Sequence, residues 1–243
     1  MKARQLPLDL RLRDHSRFVT FDAGSNGLPA AIVEAMAAGG SAERQIYLHG
    51  GAGSGKTHLL QAACHAAFSK GRTCAYLPLT DLKFENAIAV LEGMDRLQLL
   101  VLDDLQAVAG IGGWERALFD LINRVRERKG QLLLAARLAP EGLGCQLPDL
   151  TSRLGWGPVF RLEQPGDIEL KSILQKRAAL RGIDLHGSVV DYLLRHECRD
   201  LEMLLSLLDR LDLAALAEKR RLTIPFIREQ LRYASSLRDE SDS

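Results

Sequence analysis

The chain has 243 residues, of which 47% are hydrophobic, so a large buried core is possible and disorder over most of the length is not expected. Basic residues number 32 and acidic residues 31, and this near balance argues against a protein whose whole surface grips nucleic acid. The four cysteines lack the close spacing of zinc ligands, and neither a signal-peptide core nor a transmembrane-length apolar run occurs, so we expect a cytoplasmic protein.

The N-terminal part is polar and charged over residues 1–17, apart from a short apolar patch at 5–10. A turn-rich stretch begins at residue 18 and leads to a helix predicted over 28–38, which a glycine pair closes. We therefore expect an extended arm ahead of the first long helix.

Strand-like and helix-like segments then alternate for about a hundred residues, a pattern that predicts an α/β fold with a parallel sheet flanked by helices. The predicted strands cover 46–49, 73–77, 99–102, 132–136 and 159–162. The predicted helices cover 57–69, 81–92 and 114–128, with Gly130 as the stop of the last one.

After residue 165 the strand-like segments end, and only helical patterns follow. The predicted helices cover 167–181, 186–198, 200–217 and 224–233. A leucine stripe from Leu201 to Leu211 has helical spacing and favours core packing over a partner surface. We predict an α/β core over 18–165, a small all-helical lid domain over 166–234 and a disordered tail over 235–243.

Residues 50–57, GGAGSGKT, match the phosphate-binding pattern G-x-x-x-x-G-K-[ST], between a predicted strand and a predicted helix. Glycines let successive N–H groups converge on phosphate oxygens, Lys56 would reach the β- and γ-phosphates, and the Thr57 hydroxyl would ligate Mg²⁺. An ordinary glycine-rich turn is the alternative. We expect ADP or ATP with Mg²⁺ as cofactors. The predicted nucleotide-binding residues are Gly50, Gly51, Ala52, Gly53, Ser54, Gly55, Lys56, Thr57 and His58.

Two carboxylates, Asp103 and Asp104, end the third predicted strand. At the carboxyl edge of a parallel sheet they would face the phosphates, where Asp103 would hold the Mg²⁺ shell and Asp104 could orient an attacking water. The alternative is an acidic turn that caps the next helix.

Several segments resemble the AAA+ region of the bacterial replication initiator DnaA. Residues 151–157, TSRLGWG, are similar to its S-R-F-G-W-G segment, and residues 198–202, CRDLE, to its R-E-L-E helix start. The resemblance runs from about residue 18 to 232 and implies an AAA+ P-loop core with a helical lid. It also implies that Arg153 is an arginine finger for a neighbouring subunit's nucleotide, and that Arg199 senses the γ-phosphate of its own. Without the resemblance, each is a surface arginine near a helix end.

Two features differ from the initiator. A full initiator carries a DNA-binding domain after its lid, whereas this chain ends about ten residues beyond its last predicted helix, so we expect a protein other than the initiator. The N-terminal QLPLDL resembles the Q-L-x-L-x-L peptide that docks bacterial proteins on the DNA polymerase sliding clamp. The clamp-binding residues would be Gln5, Leu6, Leu8 and Leu10. An apolar arm that packs on its own domain is the alternative.

The combination resembles the regulatory branch of the DnaA-related AAA+ family, in which a clamp-bound protein makes DnaA hydrolyse its ATP. The resemblance implies a negative regulator of replication initiation, with Arg153 as its catalytic residue. The implied partners are DnaA and the clamp, with DNA reached only through the clamp, and a homo-oligomer is possible. A DnaA-like ATPase acting as a helicase loader and a passive clamp adaptor remain alternatives.

Two further expectations concern single positions. AAA+ proteins usually carry a polar residue at the end of the fourth strand, where this chain has Ala135 and Ala136, so we predict little ATPase activity of its own. The family resemblance also implies ADP as the working ligand. Trp156 follows Arg153 by three residues, and the usual high burial of tryptophan predicts packing inside the domain.

Overall fold

The computed structural model describes residues 12, 16–196, 201–218 and 220–241, without the side chains of 202 and 233–241. The chain divides into two compact units, one ending at Gln164 and the other beginning at Pro165. None of the helices in the described ranges is both long and apolar enough to cross a membrane.

The first unit contains one five-stranded sheet in the order β2-β3-β4-β1-β5, with every pair parallel. The strands are β1 (Gln45–His49), β2 (Cys74–Pro78), β3 (Leu99–Asp103), β4 (Gln131–Ala136) and β5 (Val159–Arg161). The central strands β3 and β4 are buried along their whole length, as expected of parallel strands covered on both faces. The predicted α/β class is thereby confirmed.

Helices cover both faces of this sheet. They are α1 (Gly27–Ala37), α2 (Lys56–Ser69), α3 (Leu79–Leu82), α4 (Ala87–Leu91), α5 (Gly112–Glu127) and α6 (Pro148–Leu154). Because side chains alternate across a strand, Ile46 and Leu48 pack with α1 and α2, while Tyr47 packs with α5. Two hydrophobic cores therefore lie on either side of the sheet.

The structure corrects two details of this region. The segment 81–92 is two short helices, because Asn86 caps α4 by accepting a hydrogen bond from Ala89 N at 3.1 Å. The left-handed residue that ends helix α5 is Lys129, with a φ of 59°. Gly130, the predicted stop, does not have a left-handed backbone. Gly130 is needed for space, since a Cβ there would lie 2.9 Å from Val125 Cγ1.

The second unit is all-helical, with α7 (Asp167–Ala179), α8 (Gly187–His196), α9 (Leu201–Glu218) and α10 (Ile224–Ser241). Its core includes Leu204, Leu208 and Leu211, so the leucine stripe is core packing as predicted. Helix α10 continues to Ser241, beyond residue 233, where the predicted helix ends. Residues 234–241 contain neither Pro nor Gly, so nothing in their sequence stops the helix.

Candidate functional site

The loop between β1 and α2 lies at the carboxyl edge of the sheet, where residues 50–55 turn into the N-terminus of α2. Gly53 and Gly55 have left-handed φ angles of 73° and 89°. A Cβ on Gly55 would lie 2.7 Å from Phe21 Cε2, and one on Gly50 would collide with the carbonyl oxygen of Leu162. The loop therefore requires glycine both for its backbone angles and for its close neighbours.

Lys56 is buried at 8% exposure and folds into this loop. Its Nζ donates hydrogen bonds to the carbonyl oxygens of Gly50 and Gly51, each at 2.8 Å, and to Ser54 Oγ at 3.3 Å. These acceptors carry no formal charge, so they hold the ammonium without neutralising it. A phosphate oxygen would be a stronger acceptor at the same place.

Asp103 is the last residue of β3 and is only 1% exposed, and its carboxylate accepts three hydrogen bonds. Its Oδ2 accepts from Thr57 Oγ1 at 2.7 Å and from the Tyr76 hydroxyl at 2.9 Å, and its Oδ1 accepts from Asp104 N at 2.9 Å. Burial and the neighbouring charge of Asp104 raise the pKa of Asp103, and the three hydrogen bonds oppose that rise. Tyr76 is a partner that the sequence pattern did not reveal.

The oxygen pair of Thr57 and Asp103 fits a magnesium ion, which is usually held by one or two carboxylates together with phosphate oxygens and water. Within the described ranges, no group of three or more His, Cys, Asp or Glu residues could hold a metal by itself. A metal at this edge would therefore depend on a bound phosphate.

Asp104 adopts a left-handed backbone, with φ 57° and ψ 46°, that is uncommon outside glycine. Its Oδ1 accepts from Gln106 Nε2 at 2.8 Å, and Gln106 Oε1 accepts from Arg137 N at 3.1 Å. Gln106 thus ties Asp104 to the segment that follows β4. The last two residues of β4, Ala135 and Ala136, are fully buried.

His58 lies against the segment that precedes α1. Its Nε2 is 3.0 Å from the carbonyl oxygen of Arg17 and 3.4 Å from Thr20 Oγ1, and its ring centroid is 5.5 Å from that of Phe21. Phe21 also covers Gly55, so this segment and the phosphate loop are packed together.

Arg153 lies on α6, a helix that the sequence analysis missed although Pro148 at its first position is a helix-start signal. Its Nε donates to Asn123 Oδ1 at 3.0 Å, and its guanidinium carbon is 3.7 Å from the Trp156 ring centroid. The guanidinium carbon of Arg126 is 3.9 Å from the same ring. Trp156 is 38% exposed, so the prediction that it is buried was wrong: it lies at the surface with both guanidinium groups stacked on its ring.

Arg153 and the phosphate loop lie at opposite ends of β1. Gln45, the first residue of β1, donates through Nε2 to the carbonyl oxygens of Arg153 and Leu154, each at 2.8 Å. The phosphate loop leaves the other end of the strand, after His49. Five residues of strand separate the two points by roughly 13 Å. The structure thus brings residues 50–57 and Asp103 together and sets the backbone of Arg153 apart from them.

Other predicted functional residues lie outside the described ranges. These are the sensor arginine, Arg199, and the clamp-binding residues Gln5, Leu6, Leu8 and Leu10.

Comparison with known families gives two matches that together cover most of the chain. The model of the bacterial DnaA ATPase domain matches residues 12–161. The model described as the Hda lid domain matches residues 167–231.

Solved structures agree on the fold. Domain III of the Thermotoga maritima replication initiation protein DnaA is 22% identical, with a TM-score of 0.80 over 91% of this chain and 98% of that one. AMPPCP-bound DnaA from Aquifex aeolicus is 23% identical, with a TM-score of 0.74 over 93% and 71%. A replication initiator DnaA bound to AMPPCP and single-stranded DNA is 25% identical, with a TM-score of 0.65 over 82% and 66%. The predicted AAA+ fold is confirmed.

Proposed function

This chain belongs to the family of bacterial DnaA ATPase domains, and from that premise we propose that it represses replication initiation by making DnaA hydrolyse its bound ATP. A DnaA-type ATPase domain followed by an Hda-type lid characterises a DnaA-related replication regulator. In the proposed mechanism, the chain retains one bound nucleotide and acts on a second nucleotide that is bound to DnaA.

The nucleotide of its own would lie on residues 50–57. The loop amides and the N-terminus of α2 would hold the phosphates, and Lys56 would exchange its carbonyl acceptors for phosphate oxygens. Thr57 and Asp103 would hold Mg²⁺, which when bound neutralises charge on the phosphate oxygens. The AMPPCP in related initiators supports an adenine nucleotide, and we propose ADP as the resting ligand.

The chain would hydrolyse its own nucleotide only slowly. The buried alanines at the end of β4 offer no polar side chain to position an attacking water. Asp104, the other candidate for that task, is already engaged by Gln106. Both observations favour a site that holds its nucleotide and does not consume it.

Arg153 would act on the ATP of a neighbouring DnaA. The observation that carries the proposal is the attachment of α6 to the far end of β1, away from the chain's own phosphate loop. Asn123 and Trp156 brace the guanidinium, which lowers the entropy lost when it meets a phosphate. An arginine finger that meets the charge gathered in the transition state contributes on the order of 10³–10⁵ in rate.

The N-terminal peptide would dock on the sliding clamp and so confine this activity to DNA carrying a clamp. Gln5 would supply amide hydrogen bonds, and Leu6, Leu8 and Leu10 would fill apolar pockets. The sequence alone supports this part of the proposal.

A reconstituted assay tests both parts. DnaA loaded with labelled ATP is mixed with clamp-loaded DNA and this protein, and the ADP formed on DnaA is followed with time. We expect clamp-dependent hydrolysis that is lost in Arg153→Ala and in a Gln5→Ala/Leu8→Ala variant. Arg116→Ala, which removes an exposed arginine from α5, is the matched control and should stay active.

Each part can fail separately. Equal stimulation by Arg153→Ala would leave a clamp adaptor without a finger. If hydrolysis depends neither on the clamp nor on Gln5 and Leu8, the N-terminal peptide does not act by docking on the clamp. No stimulation together with rapid turnover of its own ATP would replace the proposal with the helicase-loader alternative.

A further inference from the structure

A cleft of about 800 Å³ opens at the amino edge of the sheet, the edge opposite the phosphate loop. Its walls come from the segments that lead into β1, β2, β3 and β4. We call it the amino-edge cleft. Its size lies within the range of small-ligand sites, and nothing in the proposed function uses it.

The amino-edge cleft concentrates positive charge in a chain whose formal net charge is only +1. Its sole carboxylate among the described lining residues, Asp95, is buried and already paired with Arg128 at 2.6 Å. Arg124 approaches the same carboxylate at 3.9 Å. The cationic side chains in the lining are Arg44, Arg72, Arg96, Arg128 and Lys129. The lining therefore carries an excess of positive charge that its own carboxylate does not balance.

Arg72 is the fixed cation of this cleft. Its Nη1 donates to the carbonyl oxygens of Met36 and Ala37 at 2.6 and 2.7 Å, and its Nη2 to Gln131 Oε1 at 2.6 Å and Gln98 O at 3.3 Å. All four acceptors are uncharged, so the guanidinium is held rigidly while its charge remains available to an anion.

Three other cations line the same cleft without a carboxylate partner. Arg44 is held through Nη1 by the carbonyl oxygen of Lys129 at 2.8 Å, again an uncharged acceptor. The side chains of Arg96 and Lys129 are exposed, and within the described part of the chain they form no hydrogen bond or ion pair. They can therefore close on a ligand without first breaking a contact.

We propose that the amino-edge cleft binds a small anion with two or more linked phosphate groups. Guanidinium forks match phosphate oxygens, and a chain of phosphates would span the cations that line the walls. A DNA duplex is convex and would meet only the rim, so concavity favours a small ligand over nucleic acid. The inference is independent of the proposed function, because the phosphate loop lies at the other edge of the sheet.

Calorimetric titration with inorganic tripolyphosphate tests the proposal. The titration uses Lys56→Ala protein, so that the phosphate loop contributes little, and a second arm uses ADP. We expect one binding site, and affinity at least about tenfold weaker when Arg96→Gln and Lys129→Gln are added, from the loss of two charged contacts. The control adds Lys83→Gln and Arg116→Gln, which remove the same charge elsewhere and should leave the affinity unchanged.

The two arms distinguish the source of the phosphates. Equal affinity for tripolyphosphate and ADP identifies the phosphate chain alone as the ligand, and tighter ADP binding that is lost in the same variant identifies a nucleotide. Loss of affinity in the control equal to that in the test variant overturns the proposal, as does the absence of any titration heat. A duplex oligonucleotide that binds through Arg96 and Lys129 while tripolyphosphate does not would also overturn it.

Discussion

Two regions at opposite ends of β1 hold their charged groups in contrasting ways. In the phosphate loop, Lys56 is buried and folded onto carbonyl oxygens of its own loop. At the other end, the half-buried Arg153 packs on Trp156, a residue that is 38% exposed. The first arrangement satisfies a buried cation until a phosphate replaces its acceptors, and the second holds a half-buried cation against an aromatic ring.

The Lys56 end is suited to binding a nucleotide, and the Arg153 end is suited to acting on the nucleotide of another chain. A buried cation among backbone dipoles supports tight retention, because a bound phosphate is also shielded from water. A half-buried guanidinium braced at the far end of β1 supports action on a neighbour, because its partner has to arrive from outside. If the two ends are independent, a substitution at one end should leave the properties of the other unchanged.

Removing the charge of Lys56 should have the largest effect at the phosphate loop. Lys56→Met keeps the length of the side chain but loses charge-assisted bonds worth about 1.5–3 kcal/mol each, so ADP affinity should fall about a hundredfold. Fluorescent ADP titration measures this. If Lys56→Met binds ADP as tightly as the parent protein, residues 50–57 are not the nucleotide site.

Filling the space beside Gly55 should destabilise the loop. In Gly55→Ala, the new methyl group meets Phe21 and the left-handed backbone is strained, so we expect a loss of about 2–4 kcal/mol in the free energy of unfolding. Urea denaturation measures it. The double variant Gly55→Ala/Phe21→Ala should lose less than the sum of the two single variants, and strict additivity would show that the contact does not matter.

The magnesium contribution should depend on pH through Asp103. Its pKa is raised by burial, so the folded protein holds this proton more tightly than the unfolded chain. As pH rises from the ordinary aspartate range through the raised pKa, folding stability from this group should decline and the Mg²⁺-dependent part of ADP affinity should increase.

ADP titrations with and without Mg²⁺ between about pH 5 and pH 8 measure the second effect, which we expect to be within about tenfold. Asp103→Asn should remove the magnesium effect, and the pH dependence that remains should be that of the ADP phosphates themselves. A magnesium effect that survives in Asp103→Asn would mean that other groups hold the ion.

Features that depend on a local pattern were mostly predictable from the sequence. The apolar strands, the glycine loop and the carboxylates at the end of β3 each depend on a short run of residues, and all lie where the pattern placed them. The helical spacing of apolar residues over 81–92 predicted one helix, which was wrong because Asn86 caps a second helix within that segment.

The supporting contacts could not be predicted, because they join residues far apart in the chain. Tyr76 reaches Asp103 across neighbouring strands, and Phe21 covers Gly55 from a segment before α1. Trp156 is 38% exposed, unlike most tryptophans, and two arginines, one of them on α5, stack on its ring. Such pairings depend on the packed helices, which no single window of sequence contains.

The central claim is that Arg153 serves another chain's nucleotide and not its own. The most direct test is the affinity of Arg153→Ala for ADP and for a non-hydrolysable ATP analogue, measured beside the parent protein and Lys56→Met. We predict that Arg153→Ala binds both ligands within about twofold of the parent, because its helix is attached at the far end of β1. A tenfold or greater loss for the ATP analogue in Arg153→Ala would place the arginine at the chain's own γ-phosphate and contradict the claim.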